Sequence, residues 1–175
     1  MMSDELLDKI RGNNTPSLTD EVTLALRGVT EKRASTIANM IDEAQSKGLD
    51  DGFARAAIYN YGAANGNDMA QSMQDPNDML EFSQSFTSGL EAKVYEMELI
   101  KATEDEFQVH FHYCPYVNKW LQQNRSVGEL ANLCDICMEG DKALATAFSD
   151  LEFELGNTIA KGGRVCEITY RKSQC

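Results

Sequence analysis

The spacing of apolar residues changes from helical to strand-like near residue 93, and this change constrains the fold more than any other feature. Before that point apolar side chains recur every three or four residues, which predicts helices. After it they alternate with polar side chains in residues 95–100 and 107–112, on either side of a polar turn, which predicts a β-hairpin. A second hairpin is predicted from the alternation in residues 151–155 and 165–171 around the Gly162-Gly163 turn.

Helices account for the remaining segments. The N-terminal half predicts one nearly continuous helix capped by Thr19, a shorter helix that ends at the Gly66-Asn67-Asp68 loop, and a third that opens at Asp75-Pro76 and carries Leu90. Between the hairpins, Ser126 and Glu129 form a capping box that starts a long helix. The predicted helical ranges are 18–44, 52–64, 75–90, 116–122 and 126–148.

Segregated hairpins and helices indicate an α+β fold. We expect an antiparallel sheet of about four strands, built from the two hairpins and packed by helices that include residues 126–148, with a helical N-terminal half. The 175 residues suit a single domain, 1–175, with a helical part over 1–91 and an α+β core over 92–175.

The charge balance limits the partners. With 28 acidic and 16 basic residues, the net charge of −12 argues against nucleic acid and anionic membranes, which need clustered Lys and Arg. No apolar run is long enough to span a membrane, and residues 1–11 lack the character of a signal peptide, so a cytoplasmic location is expected. The long amphipathic helix over 18–44 predicts a possible homodimer through the N-terminal helices.

The first hairpin carries the first candidate site residues. His110, His112 and Cys114 follow one another at spacing two, so they are expected to project from one face of the sheet. This polar face is therefore a candidate functional surface. Of the five cysteines, all interpreted as thiols, Cys175 is terminal and is set aside.

The helix over 126–148 carries the second group. Cys134, Cys137 and Asp141 lie at i, i+3 and i+7 and share the buried stripe, where a carboxylate costs several kcal/mol unless it is paired or hydrogen-bonded. Cys166 faces inward from the last strand. Only one cysteine pair has metal spacing, and it lies within a helix, so no cofactor is predicted and zinc remains a minor alternative. The alternative interpretation treats the thiols as small hydrophobic core residues.

Three runs of the C-terminal half combine a Cys-Pro after a strand, a Cys seven residues before an Asp, and a Thr-containing Gly turn that leads into a final Cys. The runs are residues 113–116 (YCPY), 133–141 (LCDICMEGD) and 153–167 (FELGNTIAKGGRVCE). Over about residues 93–171 the sequence resembles the L-2-amino-thiazoline-4-carboxylic acid hydrolase family. The resemblance implies that the shared polar positions include Thr158, and that Cys114 is a thiol nucleophile beside His112, which could accept its proton.

The resemblance implies a hydrolase that acts on a C–N bond of a cyclic amidine, with a small-molecule substrate bearing a carboxylate. Its alternative is a non-catalytic sensory domain of the same fold that binds a small ligand or a metal. We expect Cys114, Asp141 and Cys166 to converge on one pocket. The candidate catalytic residues are Cys114, His112, Asp141 and Cys166, and the candidate substrate-binding residues are Cys134, Thr158 and His110.

Overall fold

The two hairpins join into one four-stranded antiparallel sheet. In this computed structural model, which describes residues 2–173, the strand order is β1-β2-β4-β3, and β2 pairs with β4 in antiparallel register. This confirms the predicted α+β class; Cys175 lies outside the described residues. The strands are β1 (Met97–Ala102), β2 (Glu106–Phe111), β3 (Leu151–Leu155) and β4 (Cys166–Lys172).

One face of the sheet forms the core. Its central strands contribute alternating apolar side chains, and Phe107 stacks on Tyr170 across the β2–β4 pair at a centroid distance of 6.1 Å. Helices cover this face, since Phe82 contacts both of these rings and the Tyr170 hydroxyl donates to the main-chain carbonyl of Asp141 at 3.1 Å. The buried side chains of the two central strands are Phe107, Val109, Phe111, Cys166, Ile168 and Tyr170.

The helices confirm much of the sequence pattern. The first long helix is unbroken, although Asp20 rather than Thr19 caps it, by accepting from the Thr23 N–H. The capping box of Ser126 and Glu129 is present at the start of the last helix. The helices are α1 (Met2–Asn13), α2 (Glu21–Ser46), α3 (Gly52–Ser72), α4 (Met79–Thr87), α5 (Leu90–Val94), α6 (Pro115–Gln122) and α7 (Val127–Leu144).

Two predicted helix boundaries are wrong. α3 continues through residues 66–68 because its glycines serve a close helix crossing: a Cβ on Gly62 would lie 2.1 Å from the Gly140 carbonyl oxygen, and one on Gly66 would lie 2.4 Å from that of Leu144. The third predicted helix does not open at Asp75-Pro76. Instead, Asp78 caps a later start, and α5, which carries Leu90, is a separate helix.

A buried ion pair joins the start of α2 to the start of the sheet. Arg27 is only 3% exposed and donates to Glu96 at 2.8 Å. Glu96, whose φ of 49° is left-handed, also accepts from the N–H groups of Ser17 and Leu18. The same guanidinium donates to the main-chain carbonyls of Leu18, Lys93 and Val94. The ion pair therefore ties the segment before α2 to the segment before β1.

Glu96→Gln should lower the free energy of unfolding by about 2 kcal/mol, because its amide would turn donors toward the Ser17 and Arg27 donors. Urea unfolding measures this change. The matched control is Glu98→Gln, since Glu98 is exposed and pairs with His112 on the surface, where an ion pair contributes about 1 kcal/mol or less. Equal losses in the two variants would contradict the assignment.

The outer surface bears on two further expectations. Among the described residues, no helix combines the length and apolar character needed to cross a membrane. Along α2, Val22, Val29 and Met40 are exposed. They lie on one face of the helix, so the homodimer through the N-terminal helices stays a prediction with this face as its contact.

Candidate functional site

Cys114 lies at the N-terminus of α6 and not on the sheet face that carries the histidines. β2 ends at Phe111, and the chain bends before Pro115 begins the helix. The strand alternation therefore stops three residues before Cys114. The expectation that His110, His112 and Cys114 share one face is wrong for this reason.

Both histidines lie on the face of the sheet that points away from the core. The Nε2 atom of His112 is 2.7 Å from a Glu98 carboxylate oxygen, and both side chains are exposed. His110 stands in register between Glu98 on β1 and Glu167 on β4. His112 is therefore not in position to accept the Cys114 proton. Both histidines stand apart from the candidate residues on the core side of the sheet.

The structure brings Cys114 together with other candidate residues on the core side. The Asp141 carboxylate lies close enough to raise the pKa of the Cys114 thiol, and Cys114 in turn raises the pKa values of Cys134, Cys137 and Cys166. These groups come from α6, α7 and β4, and we call the five residues the thiol cluster. Its four cysteines are free. The i, i+3, i+7 stripe and the inward face of the last strand thus meet at the start of α6.

Burial keeps the thiols protonated. It raises the pKa of Cys114 to about 11, although the first-turn amides of Val117 and Tyr116 act in the opposite direction. Burial also raises the pKa of Cys134 to about 12, and those of Cys137 and Cys166 rise strongly for the same reason. At neutral pH a thiolate would require a base within the cluster.

Asp141 is the ionisable group of the cluster that titrates near neutrality. Burial raises the pKa of its carboxyl group to about 6. Asp141 keeps some accessible surface, as do Cys114 and Cys137. Within residues 2–173, no Lys, Arg or His forms an ion pair with this carboxylate. Because its ionised form is desolvated and has no such partner, a cationic ligand would stabilise it.

Thr158 lies beside the cluster with an unused hydroxyl group. The residue is fully buried, and its Oγ1 atom has no hydrogen-bond partner in the described part of the chain. A weak interaction with the Thr158 hydroxyl lowers the pKa of the Cys134 thiol, but a thiol is a poor partner and leaves the hydroxyl largely unsatisfied. The Cys166 sulfur accepts from the Ile159 N–H at 3.4 Å. Because an unsatisfied buried hydroxyl is costly, Thr158 is suited to a hydrogen bond with a bound molecule.

Two residues near the site were not identified from the sequence, and one of them positions Cys114. Asn14 pairs with the main chain of Cys114 in both directions, accepting from its N–H at 2.7 Å and donating to its carbonyl at 3.0 Å. Burial raises the pKa of Tyr95 well above its usual value, and Cys114 and Asp141 raise it further. Asn14 gave no sequence signal because its partner lies one hundred positions away. The strand alternation placed Tyr95 in the first predicted hairpin, so Tyr95 was not a candidate site residue.

Two cavities of the structure lie away from the thiol cluster. A groove of about 530 Å³ between α2 and α3 is lined by residues such as Met40, Leu49 and Phe53, and a small one lies near Met79 and Phe148. Neither is lined by the thiol cluster. Within the part of the chain that the structure describes, no group of three or more His, Cys, Asp or Glu side chains could hold a metal ion.

Alkylation rates should follow the order of thiol acidity and exposure. With iodoacetamide at pH 8, Cys114 should react before Cys134 and Cys166, because it is partly accessible and its thiol is the more acidic. The reaction should nevertheless be slow, and its rate should rise about tenfold per pH unit up to pH 10. Mass mapping of labelled peptides measures the order, and faster labelling of either buried thiol would contradict it.

Comparison with known proteins agrees with the resemblance seen in the motifs. The family model for L-2-amino-thiazoline-4-carboxylic acid hydrolase matches residues 28–170, which include the whole thiol cluster and Thr158. The match also extends through α3, α4 and α5, upstream of the stretch that carries the motifs. No curated protein matches the sequence. The chain belongs to the L-2-amino-thiazoline-4-carboxylic acid hydrolase family.

Proposed function

We propose that this protein hydrolyses 2-amino-thiazoline-4-carboxylate or a close cyclic amidine, opening the ring to give a carbamoyl-cysteine. Membership of the family supports the reaction class. The observation that carries the proposal is the buried Asp141 carboxylate, which forms no ion pair among the described residues and raises the pKa of the Cys114 thiol. An amidine and a buried carboxylate are complementary, since the protonated amidine supplies the cation that Asp141 lacks.

The substrate places its electrophilic carbon where the cluster is most reactive. When the amidinium pairs with Asp141, the carbon between its nitrogens becomes more electron-poor and open to attack. The Thr158 hydroxyl and the Cys134 thiol are available to hydrogen-bond the ring. Cys166, held by the Ile159 N–H, closes the other side of the cluster.

Asp141 takes the role of base that His112 cannot fill. Its ionised carboxylate accepts the Cys114 proton, the sulfur bonds to the amidine carbon, and the C=N electron pair moves to nitrogen. The adduct collapses by breaking one bond between that carbon and a ring heteroatom, which leaves with a proton. Water then adds at the same carbon, the Cys114 thiol departs, and the net change is substrate plus one water.

The test is direct conversion of the substrate by the purified full chain. We expect carbamoyl-cysteine by mass spectrometry, and a free thiol or a free amine in the product identifies the ring bond that breaks. Because Asp141 must be ionised, kcat/KM should fall about tenfold per pH unit below about pH 6. No product between pH 5 and pH 9 would contradict the proposal.

The high pKa of every thiol in the cluster favours a second candidate function, the non-catalytic binding domain. A domain of this kind would hold the same amidine against Asp141 without turnover. Thermal unfolding separates the two functions: a substrate-dependent rise in melting temperature with no product after prolonged incubation would favour binding alone.

A further inference from the structure

We infer that Arg33 of α2 binds the carboxylate of the substrate at the rim of the thiol cluster. This inference rests on the proposed function and adds the residue that selects an acidic substrate. Local sequence patterns do not relate Arg33 to the site, because Arg33 precedes Cys114 by three helices and a hairpin. The helix crossing at Gly62 brings it close.

Two contacts relate the position of Arg33 to that of Asp141. The guanidinium carbon of Arg33 lies 4.3 Å from the centroid of the Tyr61 ring. The next residue, Gly62, touches Gly140, where an added Cβ would lie 2.1 Å from the carbonyl oxygen. Asp141 follows Gly140 directly. The cation and the carboxylate therefore flank one contact between α3 and α7.

Electrostatic effects on two residues agree with this placement. Burial raises the pKa of Tyr95 and of the Cys137 thiol, Arg33 lowers both pKa values and the Asp141 carboxylate raises both. Tyr95 and Cys137 therefore lie within electrostatic range of both the cation and the carboxylate.

Arg33 is available for a ligand. In the described residues it forms no ion pair with a carboxylate, and only Arg164 among the other arginines shares this property. Arg33 is exposed, and its contact with the Tyr61 ring holds the planar guanidinium in place. The arginines that do pair with carboxylates are Arg11, Arg27, Arg55, Arg125 and Arg171.

Charge makes such a residue necessary. The chain carries a net charge of −12, so the carboxylate end of the ligand meets an unfavourable field unless a local cation offsets it. A guanidinium presents two parallel N–H groups to a carboxylate, which fixes orientation as well as affinity. With the amidinium on Asp141 and the carboxylate on Arg33, the reactive carbon lies toward Cys114.

The experiment compares Arg33→Gln with a matched control, Arg164→Gln. Arg164 is an exposed arginine two residues before the start of β4. Calorimetry measures the binding of 2-amino-thiazoline-4-carboxylate and of 2-amino-2-thiazoline, which lacks the carboxylate. Arg33→Gln should weaken binding of the acid about 100-fold and leave binding of the analogue without the carboxylate within about twofold. Arg164→Gln should change neither affinity. Melting temperatures of both variants should stay near that of the wild type, since each side chain is exposed.

The outcomes separate this inference from the proposed function. Selective loss of acid binding in Arg33→Gln supports the inference even when the wild type forms no product, in which case only the proposed function fails. Unchanged acid binding, or equal losses for acid and analogue, overturns the inference while product formation keeps the function. Wild-type protein that does not bind the acid overturns it too. Arg33→Lys should retain part of the selectivity, because a single ammonium keeps the charge but not the paired N–H groups.

Discussion

Asp141→Asn is expected to abolish turnover of 2-amino-thiazoline-4-carboxylate without loss of the fold. Asparagine keeps the shape of the side chain but can neither accept the Cys114 proton nor pair with an amidinium. Loss of a general base typically costs about 10²–10⁴-fold in rate, and loss of the ion pair adds to this, so kcat/KM should fall by at least about 10³-fold. Steady-state assays at pH 7 measure the change.

The same substitution should raise stability at neutral pH. Burial raises the folded-state pKa of Asp141 to about 6, above the value of about 3.9 in an unfolded chain. Between these values the folded state binds more protons, so stability falls as pH rises from about 4 to about 6. Above that window the ionised carboxylate costs up to about 3 kcal/mol, which the asparagine variant avoids. The melting temperatures of the two proteins should therefore converge near pH 4 and separate toward pH 7.

Asp135→Asn on the same helix is the matched control. Asp135 pairs with Lys161 at 2.7 Å, and both side chains are substantially exposed. Its loss should change the free energy of unfolding by less than about 1 kcal/mol and leave turnover unaffected. Full activity in Asp141→Asn would remove Asp141 from the site. A large loss of stability in that variant, with an inactive wild type, would instead assign it a structural role.

Features set by local sequence were predictable. Alternation in β2 and β4 identified the buried side chains, and the capping box of Ser126 and Glu129 fixed the start of α7. Because α7 is regular, its spacing also placed Cys134 and Asp141 on a shared stripe. Each of these predictions depends on residues within one element, where the geometry of a helix or strand decides the outcome.

Features set by contacts between distant segments were not predictable. The alternation rule was carried from β2 to Cys114 past the end of the strand, although Pro115 at the first turn of α6 signalled a helix start. No local pattern relates Arg33 or Asn14 to Cys114, since α2 and α1 reach the cluster only through tertiary packing. The site therefore combines a predictable stripe on α7 with partners that the fold brings from elsewhere.

The end of α3 was predicted wrongly for a related reason. Glycine near Asn and Asp usually indicates a loop, and residues 66–68 have that composition. In the structure, Gly62 and Gly66 lie one turn apart on the face of α3 that meets α7. The absence of a side chain is used here for a close approach of two backbones, which sequence composition does not distinguish from conformational freedom.

Gly62→Ala should lower the free energy of unfolding by about 3 kcal/mol or more, or prevent folding, because the crossing has no room for a methyl group. Its Cβ would lie 2.1 Å from the Gly140 carbonyl oxygen and 2.6 Å from the Gly140 Cα. Both atoms belong to a helix backbone, so no side chain can rotate away and α3 and α7 must separate. Urea unfolding, or the yield of soluble protein, measures the effect.

Two other glycine variants isolate the crossing from the general effect of alanine in a helix. Gly28→Ala in α2 meets nothing within 4 Å and should raise stability by about 1 kcal/mol through helix propensity alone. Gly140→Ala would place its Cβ 3.4 Å from an Ile58 methyl group, an ordinary contact, so it should be tolerated although Gly140 forms the same crossing. If Gly62→Ala behaved like these two, α3 and α7 would not pack backbone to backbone, and the link from Arg33 through Tyr61 to Asp141 would fail with it.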